Sequence, residues 1–365
     1  MPCCVYKLVP PHLDASIANE SSFRLVTRIP AMQYHRAGRR NMTFKLVILE
    51  PQDPGARTPA AKTWPDKIRE LVPDVDIRYC MTVDEAAEAI VDADAAFGDI
   101  VPELFERAQK LQWIQSPQAG PKAGYYHDGL VESDVVVTNM RGIFNDHISA
   151  HIMSYVLSFA RGLHAYRDRQ RDGKWTKGYD TVYLPEATAV IVGVGGIGGE
   201  TARLCAEFGM TVIAVDSRLT EPPPGVSELH PPEALEAVVP KADFLIVTVP
   251  ETPSTQGLFN RKTLDGMKSG AYFINIGRGA TTNLADLADM LQAGEIAGAA
   301  LDVYEVEPLP SEHPLWRLPN AILTPHVAAD GPYIDDRRTE VFVDNCVRFS
   351  EGRPLRNVVD KAQWF

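Results

Sequence analysis

Positive charge is what this chain is short of: 36 lysines and arginines face 48 aspartates and glutamates, a formal net charge of −12 at pH 7. A surface of that sign repels nucleic acid and anionic lipid headgroups, so neither is expected as a partner. Cysteine is also scarce. Cys3, Cys4, Cys80, Cys205 and Cys346 are scattered and share no metal-ligand spacing with any histidine. A disulfide framework is therefore not expected, nor a metal site; reduced thiols in the cytoplasm are. Long apolar runs are missing as well. Ile148–Ala160 is interrupted by His151 and by serines, and it is shorter than the roughly 18 residues of a membrane span. It reads as a buried helix. Neither an internal repeat nor a low-complexity tract breaks the chain.

What is present is an alternation of strand and helix. Residues 1–42 stand apart, with six basic residues (Lys7, Arg24, Arg28, Arg36, Arg39, Arg40) against Asp14 and Glu20 and no apolar period. They read as a poorly structured extension without chemistry, either a transit-type leader or an upstream start, since Met42 directly precedes the first strand. From Thr43, strands are predicted at Phe44–Leu49, Val75–Tyr79, Ala95–Phe97, Leu111–Gln115 and Val135–Thr138, with helices at Asp66–Leu71 and Val83–Val91. Near-continuous apolar strands between helices make a parallel sheet covered on both faces, here a small flavodoxin-like α/β domain. A long helix, about Asp146–Arg161, and a charged polar stretch, Tyr166–Lys177, follow.

A second α/β series starts at Thr188, with strands predicted at Ala189–Val192, Thr211–Val215, Phe244–Val249, Ala271–Ile276, Ala297–Val303 and Ala321–Leu323. Six strands with intervening helices match a doubly wound, Rossmann-like nucleotide-binding domain. The tail, Asp330–Phe365, holds one helix (about Asp335–Glu351) and is too short to fold alone. It is expected to pack on the first domain, which makes that domain discontinuous. The expected division is 43–142 plus 328–365 for substrate and 143–327 for the dinucleotide.

Within AVIVGVGGIGGETARLCAEFG (189–209), Gly193, Gly195 and Gly198 form G-x-G-x-x-G between an apolar strand and a helix. The first glycine permits the tight turn, the second lets the backbone approach a pyrophosphate, and the third lets helix and strand pack. Amides at the start of the helix, including those at Gly196 and Ile197, would hold the phosphates. Asp216 ends the next strand 18 residues after Gly198 and suits the ribose hydroxyls. A carboxylate there favours NAD; Ser217 and Arg218 leave NADP open.

Three further segments each pair a strand end with ionisable residues: Asn275-Ile276-Gly277-Arg278-Gly279, Leu301-Asp302-Val303-Tyr304-Glu305-Val306-Glu307-Pro308 and Thr324-Pro325-His326-Val327. Ligands of open α/β sheets bind beyond the carboxyl ends of the strands, where these segments lie. Reduction of a 2-oxo acid needs a cation for the carboxylate and carbonyl, which a guanidinium fork supplies. It also needs a proton donor for the developing alkoxide, a task suited to histidine with a neighbouring carboxylate.

With the glycine turn, these segments resemble the D-isomer-specific 2-hydroxyacid dehydrogenase family, most closely its glyoxylate/hydroxypyruvate reductase-like branch. The stretch GAALDVYEVEPLPSEHPLWRLPNAILTPHVA (298–328) is the most specific. The resemblance implies Arg278 as substrate clamp, His326 as acid/base, Glu307 as its partner (with Glu305 solvated), and Asp302 against the nicotinamide carboxamide. It places the substrate carboxylate on backbone amides of Gln118, Ala119 and Gly120. Val249, Pro250, Ile276 and His326 complete the expected cofactor site, and a homodimer is expected by resemblance alone. Lys122, Tyr125 and Tyr126 are weighed as specificity residues, with solvation or packing favoured. The competing readings are a formate or phosphite dehydrogenase, against which Glu307 speaks, and an NAD(H)-sensing, corepressor-like protein with little turnover.

Overall fold

The computed structural model describes residues 42–51, 59–120 and 124–364. The expected extension 1–42 lies outside them except for Met42, and Lys122 lies outside them too. Two sheets, each wholly parallel, organise the rest.

The first sheet holds β1 (Lys45–Leu49), β2 (Asp76–Cys80), β3 (Ala95–Phe97), β4 (Trp113–Gln115) and β5 (Val136–Thr138) in the order β2-β1-β3-β4-β5. That is the flavodoxin-like order, with its switch point between β1 and β3. Successive β1 side chains enter different cores. Leu46 and Ile48 join Trp64, Phe97, Trp113 and Phe342 on one face, while Val47 and Leu49 join Ile90, Ile114 and Val137 on the other. Burial on both faces explains why these strands read as unbroken apolar runs.

The second sheet comprises β6 (Thr188–Val192), β7 (Thr211–Val215), β8 (Glu228–His230), β9 (Phe244–Val247), β10 (Tyr272–Asn275), β11 (Gly298–Leu301) and β12 (Ala321–Leu323). Its order is β12-β11-β10-β9-β6-β7-β8, a Rossmann arrangement with one strand beyond the usual six. The expectation of six strands is corrected here. Strand β8 is only three residues, ELH, paired on one side alone and without a buried residue, so it carries no apolar signature. The first part of the charged stretch Tyr166–Lys177 lies in a helix, Leu163–Arg171, which sequence analysis did not assign. None of its residues is buried, so no apolar stripe marks it.

Two helices tie the halves together. Helix Asn145–Arg161 leads from the first sheet to the second, where Ile152, Val156 and Phe159 pack on Ile191, Ile246 and Tyr272. Helix Ile334–Ser350 lies against the first sheet, its Phe342 contacting the rings of Trp64 and Phe97 at 5.0 and 4.8 Å between centroids. Each such buried aromatic or aliphatic side chain is worth about 1.5–3 kcal/mol. Arg337 of the second helix donates from both terminal nitrogens to Asp146 of the first, at 2.7 and 2.8 Å. No helix among the described residues is long and apolar enough to cross a membrane.

Candidate active site

The glycine turn follows β6 and opens helix Gly196–Glu207. Gly193 sits at φ +87°, a region L side chains rarely enter. A Cβ on Gly198 would lie 1.9 Å from the Gly193 carbonyl oxygen, so helix and strand can meet this closely only without one. Val249 packs against Gly193, the carbonyl of the adjoining Pro250 accepts from Thr255, and Ile276 is buried at the end of β10. These are the features of a dinucleotide cradle: a narrow turn, open helix amides and an apolar flank.

Asp216 is buried at the tip of β7 and serves as the turn's clamp. Its Oδ2 accepts from the Val194 amide at 2.9 Å, and its Oδ1 from the Arg218 amide at 2.9 Å and that of Leu219 at 3.3 Å. Arg218 Nε lies 3.8 Å from Oδ1. The same guanidinium overhangs the turn, since a Cβ on Gly195 would be 3.3 Å from Arg218 Nη2. Ser217 between them is exposed.

Arg278 leaves the end of β10 on a loop shaped by buried Asn275. Asn275 Oδ1 accepts from the Gly277 amide at 2.9 Å, and its Nδ2 donates to the Arg278 carbonyl at 3.2 Å. The guanidinium spans to the first half of the molecule, where Nη2 donates to the Gly120 carbonyl at 2.7 Å, while Nη1 donates to the Gly277 carbonyl at 2.7 Å. Burial draws its pKa down, opposed by the carboxylates of Glu307 and Glu251; a guanidinium stays charged nonetheless. The carbonyls of Gln118 and Ala119 accept from the Met140 amide and the Asn139 side chain. Loop 118–120 therefore has all three carbonyls in use as acceptors.

His326 follows β12 with φ +54°, uncommon for a residue with a Cβ. Its Nδ1–H donates to Glu307 Oε2 at 2.7 Å. The ionised carboxylate can only accept, so the proton sits on Nδ1 and Nε2 is the nitrogen left for other chemistry. Glu307 Oε1 takes the Tyr304 amide at 3.0 Å. Burial pushes the Glu307 carboxyl up, but the bonds from His326 and Tyr304 and the charges of His326 and Arg278 outweigh it and hold it below the usual range. Glu307 is thus electrostatically coupled to both the imidazole and the guanidinium. Glu305 and Glu307 are both exposed, but Glu305 turns the other way and accepts from the Leu284 amide at the start of helix Leu284–Ala293.

Asp302 is buried at the end of β11. It accepts at Oδ1 from the Thr324 hydroxyl and the Val327 amide, and at Oδ2 from the Ala328 amide, so it fixes the chain on both sides of His326. Tyr125 and Tyr126 are packed within the first sheet's core. Sequence reading missed Asn275, which shapes the arginine loop, and the group His151, Tyr155 and Thr324. The last was signalled faintly by a histidine and a tyrosine four apart on one helix face. No cluster of three or more potential metal ligands occurs among the described residues.

Residues 153–328 match the family described as D-isomer specific 2-hydroxyacid dehydrogenase, NAD binding domain. A glyoxylate/hydroxypyruvate reductase A of Yersinia enterocolitica is 36% identical over 240 residues, covering 66% of this chain and 75% of that one. A glyoxylate reductase of Korarchaeum cryptofilum is 31% identical over 290 residues, 75% and 85% of the two chains. Among solved structures, a D-isomer specific 2-hydroxyacid dehydrogenase of Xanthobacter autotrophicus in complex with NADPH and MES superposes with a TM-score of 0.76 at 29% identity, over 88% of this chain and 100% of that one. An NADPH-dependent glyoxylate/hydroxypyruvate reductase of Sinorhizobium meliloti, in complex with NADP and sulfate, gives 0.72 at 27%, over 88% and 100%.

Proposed function

Because this chain belongs to the D-isomer-specific 2-hydroxyacid dehydrogenase family, we propose that it reduces a short 2-oxo acid of the glyoxylate or hydroxypyruvate type to the D-2-hydroxy acid. Its cofactor is NAD(P). The observation that carries the reading is the placement of Glu307, bonded to His326 and coupled to Arg278, at the tips of adjoining strands.

Gly193, Gly195, Gly196, Ile197 and Gly198 hold the pyrophosphate on this reading, with Asp216, Ser217 and Arg218 at the adenosine ribose, Val249, Pro250 and Ile276 along the flank, and Asp302 near the nicotinamide. The bound dinucleotide supplies the hydride. Arg278 holds the substrate's carboxylate and carbonyl oxygen, and the amides of Gln118, Ala119 and Gly120 take the other side of the carboxylate. As negative charge grows on the carbonyl oxygen, Arg278 stabilises it and His326 delivers a proton from Nε2. Glu307 keeps the ring oriented through its bond to Nδ1. The guanidinium over Gly195 supports use of NADPH alongside NADH.

Residues 43–142 with 328–365 form the substrate domain and 143–327 the dinucleotide domain, a division supported by the core that helix Ile334–Ser350 shares with the first sheet. The chain pairs with a second copy through the surface around Leu163 and Trp316, two exposed large apolar side chains that line one open cavity. It works in the cytoplasm, where the thiols of Cys80, Cys205 and Cys346 stay reduced.

The test is a spectrophotometric screen of glyoxylate, hydroxypyruvate, pyruvate and phenylpyruvate with NADH and NADPH in parallel. Saturable cofactor oxidation with a two- or three-carbon acid is expected. Tight NADH binding without turnover on any of the four would overturn the reading in favour of a nucleotide sensor.

A further inference from the structure

Behind the His326 turn a hydrogen-bonded group runs from Asp302 back to helix Asn145–Arg161. Thr324 Oγ1 donates to Asp302 Oδ1. Tyr155 OH lies against the same threonine hydroxyl. His151 Nε2 is 2.8 Å from Tyr155 OH and 3.2 Å from Thr324 Oγ1. Tyr155 is buried and its hydroxyl ionises with difficulty, mainly because of that burial.

The protons have only one consistent arrangement. A carboxylate accepts and never donates, so the single hydroxyl proton of Thr324 goes to Asp302. The tyrosine proton must then go to Thr324, and His151 must donate its Nε2–H to the tyrosine oxygen. The chain runs one way, His151 to Tyr155 to Thr324 to Asp302, each bond polarising the next. Its end is the carboxylate that receives the amides of Val327 and Ala328, immediately after His326. Those bonds hold a histidine whose backbone is itself in the uncommon left-handed region. Its start is on helix Asn145–Arg161, which joins the two sheets and is tied at Asp146 to Arg337.

We propose that His151, Tyr155 and Thr324 are positioning residues that fix the orientation of the His326 imidazole, linking it to the helix that joins the two halves. The inference rests on the acid/base role given to His326 above.

The experiment compares T324V, T324S and Y155F in the full-length chain. Loss of a hydrogen bond to a carboxylate is expected to lower kcat on the order of tenfold or more in T324V. Substrate KM, NADPH affinity and Tm should stay close to wild type, and T324S should recover most of the rate. Y155F should lose less, because His151 is within 3.2 Å of Thr324 and takes over as donor. An NMR readout is independent of turnover: the Cε1–H signal of His326, assigned with H326Q, should move in T324V and return in T324S. Wild-type kcat in T324V, an unmoved His326 signal, or loss of Tm and cofactor affinity together with activity and without rescue by serine, would overturn the proposal. A wild-type chain that turns over no 2-oxo acid sinks the functional reading instead, while the NMR comparison still decides the positioning role.

Discussion

Arg278 Nη2 donates to the carbonyl of Gly120 at 2.7 Å, across 158 residues of sequence and from one sheet's loops to the other's. The cation assigned to the substrate is thus already fixed to the loop assigned to the substrate's carboxylate. A bond of this kind sets the guanidinium plane before a ligand arrives, and such pre-orientation is where much of an enzyme's rate comes from.

The contact leaves no room at Gly120. A Cβ there would stand 2.8 Å from Arg278 Nη2, the far end of a flexible side chain, so the arginine rather than the backbone would move. Gly120→Ala is expected to lower kcat/KM for the 2-oxo acid by roughly tenfold to a hundredfold, in line with a small misplacement at a reacting centre. NADPH affinity and Tm should change little. Steady-state kinetics beside a fluorescence titration of the cofactor check this, and an unchanged kcat/KM would remove the constraint from the account.

Arg218 gives the second expectation. Its guanidinium overhangs the glycine turn, while Asp216 is committed to backbone amides. Removing the cation in Arg218→Ala should weaken NADPH roughly tenfold, the worth of a charge-assisted bond to phosphate, and NADH much less. Equal losses for the two dinucleotides would show that Arg218 only shapes the turn.

The Asp146–Arg337 pair gives a pH-dependent one. The Arg337 bonds hold the Asp146 carboxyl well below the usual range, with burial opposing and His147 adding to them. A depressed folded value means the pair's contribution is complete above the unfolded pKa of about 4 and fades as the pH falls through the folded one. Both groups are partly exposed, so the contribution is at most about 1 kcal/mol. Asp146→Asn should lower Tm by a few degrees at neutral pH, roughly 2 °C, and the gap should close in strong acid. A gap of constant size across that range would contradict the assignment.

Legibility in the sequence followed burial and locality. Strands with both faces covered announced themselves as apolar runs, and 11 of the 12 strands among the described residues fell where runs such as FKLVIL and AVIV stood. Strand β8 has only Leu229 between two polar residues, and helix Leu163–Arg171 buries nothing, so neither carried a period to read. At the site, residue types and their places at strand ends were legible, because each strand end is local. Partnerships were less so. The pairing of His326 with Glu307 came from the family resemblance, whereas nothing in the sequence joined Tyr155 to Thr324, 169 residues apart on separate elements. The left-handed backbone of His326 could not be inferred either, as no glycine marks it.

The central claim is that one imidazole and one guanidinium act on the same carbonyl beside the dinucleotide. It is tested most directly by measuring H326Q and R278A side by side, each for turnover of its best 2-oxo acid and for NADPH affinity. The account expects both to lose kcat/KM by about 10²–10⁴, the range for a lost proton donor or oxyanion partner, with cofactor binding near wild type. Near-normal turnover in either variant, or a fall in NADPH affinity that matches the fall in kcat/KM, would contradict it.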